Sequence, residues 1–124
     1  MQIEVGEEVL FVRRLRLADE RPIFVCDSYL PVDRFPALKD ADYGTLSLSG
    51  LFEGRTGLKI EHSRQWIGAA RATPDVTALL EIPAGVPVLK VRRITLVTGD
   101  APVEFVEAHF HPERYQHYNE LSVP

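Results

Sequence analysis

Residues 6–14 read GEEVLFVRR and residues 85–93 read GVPVLKVRR, with six of nine positions identical. This internal repeat decides the fold, because each copy continues in the same way. An apolar tail follows (15–17 and 94–96), then a polar turn (19–21 and 98–101), then a proline that opens a second apolar run at Pro22 and at Pro102. The runs are rich in Val, Ile, Phe and Leu, the turns carry Asp, Gly and Thr, and each proline stands where a strand begins and needs no ladder donor. Two β-hairpins of one sheet are predicted.

Between the copies the period changes. Leu48, Leu51 and Phe52 are spaced i, i+3, i+4 and precede Gly57, so residues 45–56 read as a short amphipathic helix stopped by that glycine, although Gly50 and Gly54 weaken it. Loose alternation over 58–72 favours a long strand, with Trp66 as a core or interface aromatic. Thr73-Pro74-Asp75 is a strong helix start: an N-cap, a proline at the first helical position and an acid in the first turn. Val76, Leu79 and Leu80 form the stripe that this helix buries, and Pro83 ends it. Residues 115–123 are expected to add a last edge strand. The layout is α+β, a mainly antiparallel sheet with two or three helices on one face, within one domain spanning 1–124.

Composition removes several classes of function. The chain has 124 residues, 45% of them hydrophobic and 26% charged, as in an ordinary globular fold with a real core. Fourteen basic against eighteen acidic residues leave a net charge of -4, the wrong sign for gripping a phosphate backbone by counterion release. Cys26 is the only cysteine, which excludes an internal disulfide and a cysteine-based zinc cage and suits a reducing, cytoplasmic setting. The longest apolar stretches, such as VLFV at 9–12, fall far short of the roughly 18 residues of a membrane span. The acidic start is not a signal peptide.

The chemistry is concentrated in VLFVRRLRL. Alternation along a strand puts Leu10, Val12, Arg14 and Arg16 on one face, so two guanidinium groups continue an apolar stripe. Two planar forks about 7 Å apart can clamp one carboxylate or phosphate; the alternative is that they face solvent or pair with acids of neighbouring strands. Arg13, Arg92 and Arg93 read as surface or structural cations. Glu104, in PVEFVEAHF, either lies buried and needs a cation or hydroxyl partner, or faces solvent opposite Arg92. Ser47 and Ser49 either donate to an anion beside the first helix or simply cap it. His109 and His111 have no third metal ligand at a convincing spacing. Cys26 has no motif of a reactive thiol. No cofactor, and no nucleophile elbow, phosphate-binding glycine loop or dinucleotide fingerprint, is expected.

The strings RRLRLADERPIFVCDSYLP (13–31), LLEIPAGVPVLKVRRITL (79–96) and PVEFVEAHFHPERY (102–115) resemble the UTRA domain, the effector-binding module of GntR-type transcriptional regulators of the HutC subfamily. The resemblance covers nearly the whole chain. It implies a chorismate lyase-like fold, an antiparallel sheet with helices on one side, and a cleft for a small metabolite. Carried over residue by residue, it implies ligand contacts at Arg14, Arg16, Cys26, Ser47, Ser49, Glu104 and Phe110. In members that bind amino-sugar phosphates the position of Cys26 tends to be Glu, and those of Ser49 and Phe110 tend to be Tyr. An amino-sugar phosphate would lose polar partners here, each worth about 1–3 kcal/mol.

The expected function is sensing of a small anionic metabolite, as a homodimer, within a transcriptional regulator. Family members read DNA through a winged helix-turn-helix, which the resemblance places ahead of this segment and not within it. Two alternatives stand beside this reading. One is a chorismate lyase-like enzyme in which the arginines hold substrate carboxylates and Glu104 is an acid. The other is a purely structural dimerisation module with a decayed pocket.

Overall fold

A computed structural model of the chain describes residues 8–36, 53–97, 99 and 101–123. They form a five-stranded antiparallel sheet. The strands are β1 (Leu10–Ala18), β2 (Arg21–Leu30), β3 (Ile60–Arg71), β4 (Pro87–Val97) and β5 (Ala101–Phe110), with helix α1 (Pro74–Leu80) between β3 and β4. The order across the sheet is β1-β2-β5-β4-β3. The two predicted hairpins, β1-β2 and β4-β5, therefore meet at the sheet centre through β2 and β5, and β3 is laid against the outside of β4.

The repeat is visible in three dimensions. Each hairpin shifts register at the same place in the repeat, between Arg16 and Leu17 opposite the extra residue Ile23 of β2, and between Thr95 and Leu96 opposite the extra residue Val103 of β5. The first hairpin turns through Asp19 and Glu20, both at positive φ (49° and 63°), the twist that a two-residue hairpin loop demands. Gly99, at φ 89°, serves the second.

One sheet face carries Arg14, Cys26, Ala108, Val91 and Ile67 in one cross-strand row. The opposite face carries Val25, against which Val76 and Leu80 of α1 form a buried cluster. The helix follows its sequence signals: Thr73 is the N-cap, Pro74 opens it, and Asp75 accepts a hydrogen bond from the Thr73 hydroxyl. It stops at Glu81, whose left-handed backbone donates to Ala78 O, while Ile82 N donates to Thr77 O. At the far end of the sheet Leu30, Val32, Val97 and Val103 make a second core, joined by Leu10 and Val12.

Several expectations are met differently. Residues 53–56 are helical, and Gly57, at φ 74°, donates its N–H to Glu53 O, a C-terminal stop at the predicted residue. The remainder of the predicted helix at 45–52 lies outside the described residues. No strand forms in 115–123. The reason is local: His111 Nδ1 accepts from the backbone N–H groups of Glu113 and Arg114 at 3.1 Å each, a turn that lifts the chain off the sheet after Pro112. Trp66 is not a core residue. It stands on the outer strand β3, 46% exposed, with the Arg92 guanidinium 5.6 Å from its ring.

Candidate ligand-binding site

Bulky and small side chains alternate over the face away from α1, and the difference in height makes a cavity of about 390 Å³. Its floor is small where Cys26 and Ala108 pair across β2 and β5. At one end stand Phe24 and Phe110, paired in register with ring centroids 5.0 Å apart. Tyr115, brought back by the His111 turn, stacks on Phe110 at 4.1 Å. Leu89, Val91, Val106 and Ile67 extend this apolar lining towards β3.

Three arginines rim the cavity: Arg14 and Arg16 from β1, as the strand periodicity predicts, and Arg93 from β4. Arg14 is half-buried and Arg16 exposed. Arg93, read from the sequence as a surface or structural cation, is exposed, and its Nε and Nη2 donate to Gln65 Oε1 at 3.0 and 2.7 Å, which fixes the guanidinium beside the lining. The repeat itself carried the missing signal, because Arg93 and Arg14 occupy the same position in the two copies. Arg13 and Arg92, one residue earlier in each copy, point to the other face. There Arg13 makes a bidentate pair with Asp27 at 2.7 and 3.0 Å and reaches Asp75 at 2.6 Å.

Glu104 is neither solvent-facing nor opposite Arg92. Its register partner is Thr95, whose hydroxyl donates to Glu104 Oε1 at 3.4 Å. Burial pushes the carboxyl up from its ordinary range, against the pull of the Ser28 hydroxyl and the Arg14 charge. Burial likewise pushes the Cys26 thiol up, with Arg14 opposing, so the thiol stays protonated and is a weak polar contact. Around these residues Arg14 Nε, Ser28 Oγ and Glu104 Oε2 are buried without a hydrogen-bond partner. No bond of good geometry satisfies them within the fold, the Ser28 hydroxyl lying near enough to the Glu104 carboxyl only to draw on it.

Thus Arg14, Arg16, Cys26 and Phe110 of the expected site line one cavity, and Glu104 lies on the same sheet face beside them. Ser47 and Ser49 lie outside the described residues. Phe24, Gln65 and Tyr115 were not singled out from the sequence, and Arg93 was named there only as a surface or structural cation. The two histidines serve elsewhere: His111 caps its turn, and His109 faces away from the cavity, next to Lys90 and Glu107.

The UTRA domain family model matches residues 1–116. The chain belongs to the UTRA domain family. Among curated relatives it is 36% identical, over 112 residues, to the HTH-type transcriptional regulator Rv0792c of Mycobacterium tuberculosis, covering 88% of this chain and 42% of that protein. This UTRA chain thus spans less than half the length of the curated relatives it matches. Among solved structures, a GntR-family transcriptional regulator from Enterococcus faecalis superposes with a TM-score of 0.80 at 28% identity, covering 94% of this chain and 83% of that one. The C-terminal domain of the histidine utilization repressor from Pseudomonas syringae shares the fold, with a TM-score of 0.88 at 19% identity over 98% of this chain and 84% of that one. The fold is the chorismate lyase-like one, and the matches are domains of transcriptional regulators, not enzymes.

Proposed function

We propose that this UTRA domain senses a small anionic metabolite for a cytoplasmic transcriptional regulator of the HutC type, as a homodimer, with DNA read by a separate winged helix-turn-helix. The observation that carries this reading is the group of three buried, unpartnered polar atoms, Arg14 Nε, Ser28 Oγ and Glu104 Oε2, beside a cavity rimmed by arginines. A guanidinium N–H is a donor only, a hydroxyl both donates and accepts, and a carboxyl oxygen accepts. A ligand with an anionic group and a second polar atom supplies what all three lack. The net charge of -4 fits a domain that leaves DNA contact to another part of its regulator.

Dimerisation is supported by a different feature. The outer strand β3 exposes Trp66 and Ile67 on its two faces, 46% and 48% accessible, and an edge of that kind invites a second chain. Thermal-shift screening against sugar phosphates, amino acids, urocanate-like acids and phosphonates tests the sensing reading. A ligand at 100 times its Kd stabilises the fold by about 2.7 kcal/mol. A rise in Tm with one class of anion supports it, and an unchanged Tm throughout favours a domain whose pocket has decayed.

A further inference from the structure

The repeat makes the two halves of the central sheet near-equivalent, so that Arg14 in β1 and Arg93 in β4 approach the cavity from opposite sides. Three inter-strand steps of about 4.8 Å separate β1 from β4 across β2 and β5, roughly 14 Å in all. Each arginine side chain spans about half of that distance and both line the cavity, the Arg93 guanidinium being held on the β3 side by Gln65. The charges of both arginines oppose the upward push that burial gives the Glu104 carboxyl.

We propose that the cavity holds an organic anion with an apolar body, ring or chain, its charged group gripped between Arg14 and Arg93 and its body lying against Phe24, Phe110 and Tyr115. This rests on the ligand-sensing reading and narrows it to one chemical class. Between the arginines and the aromatic end, over Val91, Ala108 and Phe110, the lining is apolar and its side chains offer sugar hydroxyls no partner. Gln65 Oε1 already accepts two bonds from Arg93, and Cys26 is a protonated thiol. Sugar hydroxyls laid on Val91, Ala108 and Phe110 would be desolvated without partners. A flat ring or an alkyl chain gains there, since apolar surface leaves water at no polar cost. Gln65 is a positioning residue: it holds the fork of Arg93 and leaves Nη1 outside their contact.

Calorimetric titration of the 124-residue chain with four probes tests this: 3-phenylpropanoate for a ring, octanoate for a chain, glucosamine 6-phosphate for a polyhydroxylated anion, and inorganic phosphate for charge alone. Saturable binding of 3-phenylpropanoate or octanoate is expected, the stronger of the two showing whether ring or chain is preferred, with neither phosphate binding at the same concentrations. Arg93→Ala should weaken that binding about tenfold or more, Arg93→Lys should weaken it less, and Arg92→Ala, on the other face, should not change it. Each variant's ligand-free Tm, unchanged from the parent, shows that the fold is intact. Binding of glucosamine 6-phosphate without either apolar acid would overturn the proposed class while leaving ligand sensing in place. Binding of an apolar acid that ignores Arg93→Ala would overturn the clamp. Silence of all four probes together with the whole thermal-shift screen would overturn both the class and the sensing reading.

Discussion

Arg13 and Arg14 are chain neighbours with opposite duties, and the pleat of β1 is the cause. Arg13 turns to the helix side, where it neutralises Asp27, a carboxylate with only 7% of its side chain exposed. Arg14 turns to the cavity, where its Nε has no partner. Arg13→Ala strands the buried Asp27 charge and should lower stability by about 1–3 kcal/mol in urea denaturation, whereas Arg14→Ala, which relieves an unpaired donor, should cost less than Arg13→Ala. Equal losses for the two would contradict this division. His109 adds a pH dependence. Burial, and then the neighbouring Lys90, push its imidazole below the ordinary 6.5. Between its folded and unfolded values the unfolded chain binds the extra proton, so this group's contribution is present at neutral pH and lost as pH falls below about 6.5. The urea midpoint should drop between pH 7.5 and 5.5, and His109→Gln should flatten that drop. Glu104 acts with the opposite sign: its carboxyl is raised from 4.5, so its contribution is full below that value and fades as pH rises through the higher folded one.

At the scale of elements, α1 is short and depends on one contact with the sheet. Leu80 is fully buried against Val25 with Val76, whereas Leu79 only flanks that cluster. Leu80→Ala should therefore cost about 2–5 kcal/mol and Leu79→Ala clearly less, measured by chemical denaturation; equal costs would mean that the helix is not anchored as seen. The elements most legible in the sequence are those whose signals are local. Both hairpins announced themselves through the repeat and the prolines, and α1 through Thr73-Pro74-Asp75. Strand β3 was legible as a strand, but not as the outermost one, because strand order is a tertiary choice that alternation does not encode. For that reason the sequence left Trp66 open between core and interface. The tail was misread because its fate turns on a side-chain acceptor, His111 Nδ1, that a hydrophobic pattern cannot reveal. Of the candidate site, Arg14 and Arg16 followed from the two-residue period of β1. Arg93 did not, since its neighbours Arg92 and Lys90 suggest a solvated basic strand, and only the correspondence with Arg14 points inward.

For the whole molecule, the sheet presents one face to α1 and the other to the cavity, with β1 and β3 as its outer strands. If β3 carries the dimer contact, light scattering should report twice the 14.0 kDa chain mass at micromolar concentration, and Trp66→Lys should shift the mass towards that of the single chain. A parent protein that stays at the single-chain mass would contradict it. The central claim is that the unpartnered polar atoms on the cavity side belong to a ligand. The most direct measurement is an NMR titration that follows the arginine Nε–Hε signals as an organic anion that raises the Tm is added. The Arg14 signal should move with occupancy, because its Nε is the buried donor left without a partner, while that of Arg13, already bonded to Asp27 at 2.7 Å, should hold still. Saturable binding that moves Arg13 and leaves Arg14 in place would contradict the account.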